Sequence, residues 1–269
     1  MDPAVHMNQP HRLLARHDQA EPSVFVAENL LREARRQRGL PAGSVPPICL
    51  LDPDGDVVRY VRRHDRATRS PVWACYHTDL YDTDLNDARL GIVGCAVGAP
   101  FAVLVAEQLF ASGCELLVSV TSAGRVAPDL PASCFILIDR ALRGEGTSLS
   151  YLPPADFVDA DASLLAAVTA GLEQARLPVL RGATWTTDAP FRETATALAS
   201  ALHAGVLAVE MEAAALYAFG QAQRRPVICF AHVTNQLAQV EGDFEKGPGD
   251  GAEAVLDIVA ATARGWRAR

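Results

Sequence analysis

The chain has 269 residues, 49% hydrophobic and 21% charged, with 24 Lys+Arg against 32 Asp+Glu and a net charge of −8. This composition excludes intrinsic disorder, a collagen-like fibre and a disulfide-stapled miniprotein, and it suffices for one large core or two small ones. The acidic balance leaves no global positive field for a nucleic-acid backbone, so a small-molecule site is expected and no nucleic-acid partner.

Residues 1–22 are polar and contain proline, and they are expected to form a flexible segment ahead of a single domain over 23–269. They show no apolar core and no cleavage pattern of a signal peptide. With six single cysteines (49, 75, 95, 114, 134, 229) and no C-x-x-C pair, this reads as a cytoplasmic chain with reduced thiols and no metal. VAENLLREARRQRGL then has Val26, Leu30, Leu31 and Ala34 on one helical face, and Gly39 stands where it would stop. The Arg32, Arg35, Arg36 and Arg38 cluster could bind a phosphate or nucleic acid, but in an acidic chain it reads as a solvated face or as salt bridges between subunits.

From residue 47, short apolar runs alternate with helical patterns. PPICLLD, SPVWACYH, RLGIVGCAV, ELLVSVTS, SCFILIDRAL, PVLRGATWT, LAVE and PVICFAHVT are expected as strands. Helices are expected in FAVLVAEQLFASG, over 162–175, 192–203 and 211–223, and from about Gly251. Strands apolar on both faces and separated by helices predict a three-layer α/β/α domain with a central mixed β-sheet. The uncharged run Leu90 to Ala106 is interrupted by Gly91, Gly94, Gly98 and Pro100, so it reads as strand, turn and helix and not as a membrane span.

Five segments bring chemistry to strand ends. In LLDPDGDVVR, Gly55 lets backbone N–H groups approach an anion and Arg59 can clamp it, although D-P-D-G is also an ordinary turn, which the local pattern alone favours. In VSVTSAGRV, Thr121, Ser122 and the N–H groups near Gly124 can cradle an oxyanion, or simply turn the chain. LAVEMEAAALYAFG sets Glu210, Met211 and Glu212 where a buried strand meets a small-residue helix. Carboxylates there either favour the helix N-terminus or accept sugar hydroxyls over an apolar floor. RGATWTTDAPFRET offers Trp185, Phe191 and Arg192 to a flat ring, or else Trp185 is core and Asp188-Ala189-Pro190 is a capped helix start; HVTNQLAQ offers the Asn235 amide to a base edge. Two motifs fail. Gly94-Cys95-Ala96-Val97-Gly98 lacks the frame of a cysteine elbow, so Cys95 reads as a buried packing thiol. The calcium-like Asp82-Thr83-Asp84-Leu85-Asn86 lacks Gly at its sixth position and Glu at its twelfth.

Together these segments resemble the nucleoside phosphorylase family that contains uridine phosphorylase and the hexameric purine nucleoside phosphorylases, over roughly residues 48–262. VEMEAAALY (209–217) is similar to its ribose signature, RALRGEGTSLSYLPP (140–154) to a segment of the uridine enzymes, and TTDAPFRET to its aromatic wall. The resemblance implies a phosphate site at Gly55, Arg59 and Ser122, ribose contacts from Glu210, Met211 and Glu212, and base contacts from Phe191, Arg192 and Asn235. It implies catalytic roles for Arg59, Glu212 and Asn235. It further implies nucleoside and inorganic phosphate as partners, no other cofactor, no metal, and a homo-oligomer (dimer, trimer or hexamer). Two positions depart from the pattern: Ser119 stands where the family has a second phosphate arginine, and Asn235 stands where the purine enzymes have an acid. Arg125, Arg66, Arg69 or a neighbouring subunit are the candidate substitutes for the missing arginine. Phosphorolysis is the favoured expectation, with hydrolysis by a nucleosidase or a catalytically degraded binding protein as alternatives.

Overall fold

The computed structural model describes residues 18–85, 88–131, 133–237 and 241–269. Helix α1 (Ala27–Arg38) ends on Gly39, whose φ of 62° is the left-handed conformation that closes helices, and it buries Leu31 and Ala34. The strands are β1 (Ile48–Asp52), β2 (Thr68–Arg69), β3 (Leu80–Leu85), β4 (Ala88–Gly94), β5 (Leu116–Arg125), β6 (Cys134–Gly144), β7 (Phe157–Asp159), β8 (Val179–Thr187), β9 (Val206–Glu210) and β10 (Val227–Asn235). Between them run α2 (Asp56–Arg63), α3 (Ala99–Ala111), α4 (Ala162–Gln174), α5 (Ala195–His203), α6 (Ala213–Gln223) and finally α7 (Ala252–Arg267). Every residue of β1 and of β10 is buried, as expected of strands covered on both faces. The three-layer α/β/α plan with a mixed sheet holds. Leu90 to Ala106 divides into β4, a turn and α3, and among the described residues no helix is long and apolar enough to cross a membrane.

The sheet does more than the strand pattern foretold, because part of it closes on itself. β5 runs parallel to β10, β10 antiparallel to β6, β6 parallel to β8, β8 parallel to β9, and β9 antiparallel to β5. These five strands form a barrel, from which β1, β4, β3 and β2 extend as an open wing. The branch point is β5: Leu116–Ser119 pairs with β1, whereas Gly124 and Arg125 pair with β9. Between those stretches Val120 to Ala123 pair only with β10 among the described residues. That notch in the sheet is where chain ends and turns collect.

Two expectations change. SPVWACYH is not a strand, although Trp73, Ala74 and Cys75 are buried. Two of its carbonyls are met from outside any ladder, Arg38 Nη1 donating to Cys75 O (2.7 Å) and Ala74 O (3.4 Å), while the Trp73 side chain is anchored by Nε1 donating to the Thr78 hydroxyl (3.0 Å). Strand β3 lies in the segment that resembled a calcium loop. Cys95 is exposed, not buried, because the backbone turns through φ 60° there and swings the thiol out of the core. The segment 1–17 falls outside the described residues.

Candidate active site

Asp52 ends β1 and organises the turn that follows. Its carbonyl accepts from Gly55 N–H (2.9 Å) and Cys95 N–H (3.1 Å), and its carboxylate accepts from Val58 N–H (3.0 Å) in the first turn of α2. Burial pushes the Asp52 carboxyl up to about 7. Gly55 has φ 77°, and a Cβ there would lie 2.7 Å from Cys95 Sγ and 3.0 Å from Arg59 Nη1, so only glycine fits. D-P-D-G is therefore both things at once, a turn and the entrance to a helix that carries Arg59. The Arg59 side chain is half exposed; it donates to Asp54 O (3.0 Å) and pairs with Asp56.

Ser122 lies in the notch of β5, opposite that turn. Its N–H (3.1 Å) and its Oγ both donate to Asp54 Oδ2, which also accepts from Lys246 Nζ at 3.3 Å. Lys246 Nζ reaches Asp56 Oδ2 as well, at 2.5 Å. Burial alone would lower the Lys246 pKa, but the two carboxylates outweigh it and raise it, so the ammonium stays charged. Beside it His232 is buried, stacked on Phe135 with centroids 4.2 Å apart. Burial first, and the Lys246 charge second, lower its pKa to about 4 and keep the ring neutral.

Across the notch, β9 runs into α6 through Glu210, Met211 and Glu212. Glu210 accepts from Thr184 Oγ1 (3.1 Å), Thr186 Oγ1 (2.5 Å), Glu212 N–H (2.7 Å) and Ala213 N–H (2.8 Å). These four donors tie β8 to β9 and cap α6. Met211 is half-buried between the two carboxylates. Glu212 is 1% exposed; its Oε1 accepts from Gly98 N–H at 2.7 Å and its Oε2 has no partner. Burial, reinforced by the Glu210 charge and opposed by the Gly98 N–H, raises the Glu212 carboxyl to about 8. The Thr121 hydroxyl also acts on this carboxyl, in the same direction as the Gly98 N–H, and Oε2 keeps acceptor capacity that no hydrogen bond uses.

The structure thus brings Gly55, Arg59, Ser122 and Glu212 around one notch, linked by Cys95 against Gly55 and Gly98 against Glu212. The residues expected to face a base are placed differently. Asn235 is buried opposite Gly124, with Oδ1 accepting from Leu237 N–H (2.9 Å) and Nδ2 donating to Thr234 Oγ1 (3.1 Å). Phe191 and Arg192 sit in a single helical turn, Pro190–Arg192, beyond the end of β8, and Phe191 is 98% exposed. Ser119 is buried in register between Leu51 and Cys229, with its Oγ unpartnered. The expected substitute cations are engaged elsewhere: Arg125 donates to Leu130 O and Gln236, Arg69 pairs with Asp79, and Arg66 lies over the Tyr60 ring. The cation that does reach the notch, Lys246, escaped the motif reading. One signal was available: it is the single lysine in a chain whose other 23 Lys+Arg residues are all arginine.

Comparison with known proteins agrees with this fold. The chain is 25% identical over 174 residues to the uridine phosphorylase of Treponema pallidum (strain Nichols), covering 60% of this chain and 67% of that protein. It is 30% identical over 139 residues to the DeoD-type purine nucleoside phosphorylase of Colwellia psychrerythraea, covering 51% of this chain and 59% of that one. Among solved structures, uridine phosphorylase from Vibrio fischeri superposes with a TM-score of 0.68 at 20% identity, covering 84% of this chain and 93% of the other. The 5′-methylthioadenosine/S-adenosyl homocysteine nucleosidase of Campylobacter jejuni gives 0.66 at 15% identity, covering 81% and 99%. Residues 47–264 match the phosphorylase superfamily, to which this chain belongs.

Proposed function

We propose that this chain cleaves the N-glycosidic bond of a nucleoside and transfers the pentosyl group to inorganic phosphate, releasing the free base and (deoxy)ribose 1-phosphate. The observation that carries the reading is the unpartnered Oε2 of buried Glu212, set in the same notch as Gly55, Arg59 and Ser122. Glu212 accepts a ribose hydroxyl, with Met211 as the apolar floor and Glu210 holding the junction. Gly55, Arg59 and Ser122 place a phosphate oxygen against the anomeric carbon, where proximity and opposite charge lower the barrier to an oxocarbenium-like transition state. The C1′–N bond breaks with its electron pair passing to the base as the phosphate oxygen bonds to C1′, and the proton that hydrogen phosphate gives up passes to the base nitrogen to complete the free base. For the departing base, the exposed Pro190–Arg192 turn leaves Phe191 and Arg192 free to fold over the ring, whereas the Asn235 amide must give up its bonds to Leu237 N–H and Thr234 Oγ1 to reach it; no cofactor beyond phosphate takes part. We read the working form as a cytoplasmic homo-oligomer. Six free thiols suit a reducing compartment, and exposed Val24 and Phe25 ahead of an arginine-rich α1 suit a subunit contact.

One observation favours a second reading, in which water replaces phosphate. The Asp54 carboxylate already accepts from Ser122 and Lys246, where a phosphate oxygen would sit. The purified protein incubated with a panel of purine and pyrimidine nucleosides, with and without phosphate, separates the two by product. Phosphate-dependent ribose 1-phosphate is the expected outcome. Free ribose formed equally without phosphate selects hydrolysis, and well-folded protein that turns over no nucleoside overturns both.

A further inference from the structure

We propose that Lys246 is the cation that completes the oxyanion cradle at Ser122, and that the Asp54 carboxylate is a tethered occupant that phosphate displaces. The inference rests on the phosphorolytic reading of the same notch. Its warrant is a single oxygen: Asp54 Oδ2 takes a backbone N–H and a hydroxyl from Ser122 and the ammonium of Lys246. A backbone amide, a hydroxyl and a cation converging on one anionic oxygen are the donor set of an oxyanion site, seen here filled by the chain's own side chain. Asp54 is free to leave it. The residue belongs to the turn between β1 and α2, its side chain is 30% exposed, and no strand ladder holds it.

Charge accounting points the same way. Ser119 brings no charge to the notch, and Arg125, Arg66 and Arg69 are engaged elsewhere. Arg59 and Lys246 are balanced in the resting state by Asp54 and Asp56. A phosphate dianion added to that arrangement would face two carboxylates beside two cations. Binding is favourable only once Asp54 swings into solvent and yields its three donors, so this residue sets the phosphate affinity of the enzyme. Lys246 lies 192 positions away in sequence, so the loop ahead of α7 and the turn after β1 act as one device.

The test uses full-length protein and inorganic phosphate as the probe. Lys246→Met is expected to raise the phosphate KM tenfold or more while the nucleoside KM moves less than twofold, and Lys246→Arg is expected to recover most of the loss. Asp54→Asn is expected to lower the phosphate KM at least fivefold, with the Kd from calorimetric titration following. Because Lys246 is the only lysine, peptide mapping after acetylation reads its modification without ambiguity, and saturating phosphate is expected to protect it. A Lys246→Met phosphate KM within twofold of the parent, or an Asp54→Asn enzyme that binds phosphate more weakly or loses turnover, overturns the inference. Parent enzyme that makes ribose and no ribose 1-phosphate overturns the phosphorolytic reading instead. The calorimetric titration still decides the cradle in that case: phosphate binding lost in Lys246→Met and tightened in Asp54→Asn upholds it, and unchanged binding ends it.

Discussion

Glu210 and Glu212 are the same side chain two positions apart, yet their surroundings divide the work between them. Glu210 spends its oxygens on two threonine hydroxyls and two backbone N–H groups, while Glu212 keeps one oxygen without a donor. Glu210→Gln should therefore cost stability, about 1–3 kcal/mol by urea unfolding, because four donors lose a charged acceptor in a buried place. Glu212→Gln should leave Tm near pH 6.5 within a few degrees and lower kcat/KM for nucleoside by 100-fold or more. The opposite pattern would make Glu212 the structural residue. Spacing in the sequence shows that the two carboxylates point apart, but not which of them is already satisfied. The donors that decide it, Thr184 and Thr186, lie 26 and 24 residues upstream and arrive only through the pairing of β8 with β9.

At the scale of elements, hydrophobic runs locate the strands that are buried along most of their length, such as β1, β4 and β10, and miss β3, whose ladder-paired Leu80–Leu85 carries two aspartates. They mislead where something other than a ladder satisfies the backbone, as when the Arg38 guanidinium serves the carbonyls of a buried non-strand at Ala74 and Cys75. Helix α2 was hidden for another reason. Its eight residues follow a turn sequence, and the feature that starts it, the Asp52 carboxylate accepting from Val58 N–H, comes from the preceding strand. Close helix contact is likewise invisible in periodicity. Helices α4 and α7 cross so tightly that a Cβ on Gly171 would lie 2.5 Å from Ala261 O, and one on Gly265 would lie 2.3 Å from Ala167 O. Helix propensity alone predicts that Gly→Ala stabilises by about 1 kcal/mol at either position. The obstructing atoms are backbone and cannot rotate away, so overpacking of about 1–3 kcal/mol should win and both variants should unfold at lower denaturant. A stabilised Gly171→Ala would show that the two helices can separate without cost.

At the scale of the molecule, the layers follow from alternating patterns but the closed barrel does not, since β5 meets β10 and β9 across long stretches of chain. Closure also creates the cost that the site imposes on the fold. Asp52, raised to about 7 mainly by burial, and Glu212, raised to about 8, hold protons that the unfolded chain gives up near its ordinary carboxyl values. A folded pKa above the unfolded one means that stability is fully present at low pH and is lost as pH climbs through the folded value. His232 has the opposite sign: lowered to about 4, it reduces stability only as pH drops below its ordinary 6.5. Between pH 4 and 6.5 the two effects oppose each other; above 6.5 only the carboxylates remain. In phosphate-free buffer, unfolding free energy should therefore fall from pH 6.5 to 8.5, by on the order of 2 kcal/mol. Glu212→Gln should flatten that slope, because its side chain has no proton to release. A parent profile that is flat or rising over this interval would mean that Glu212 ionises without penalty, and that its unpartnered oxygen already finds the solvation which the proposed ribose contact is meant to supply.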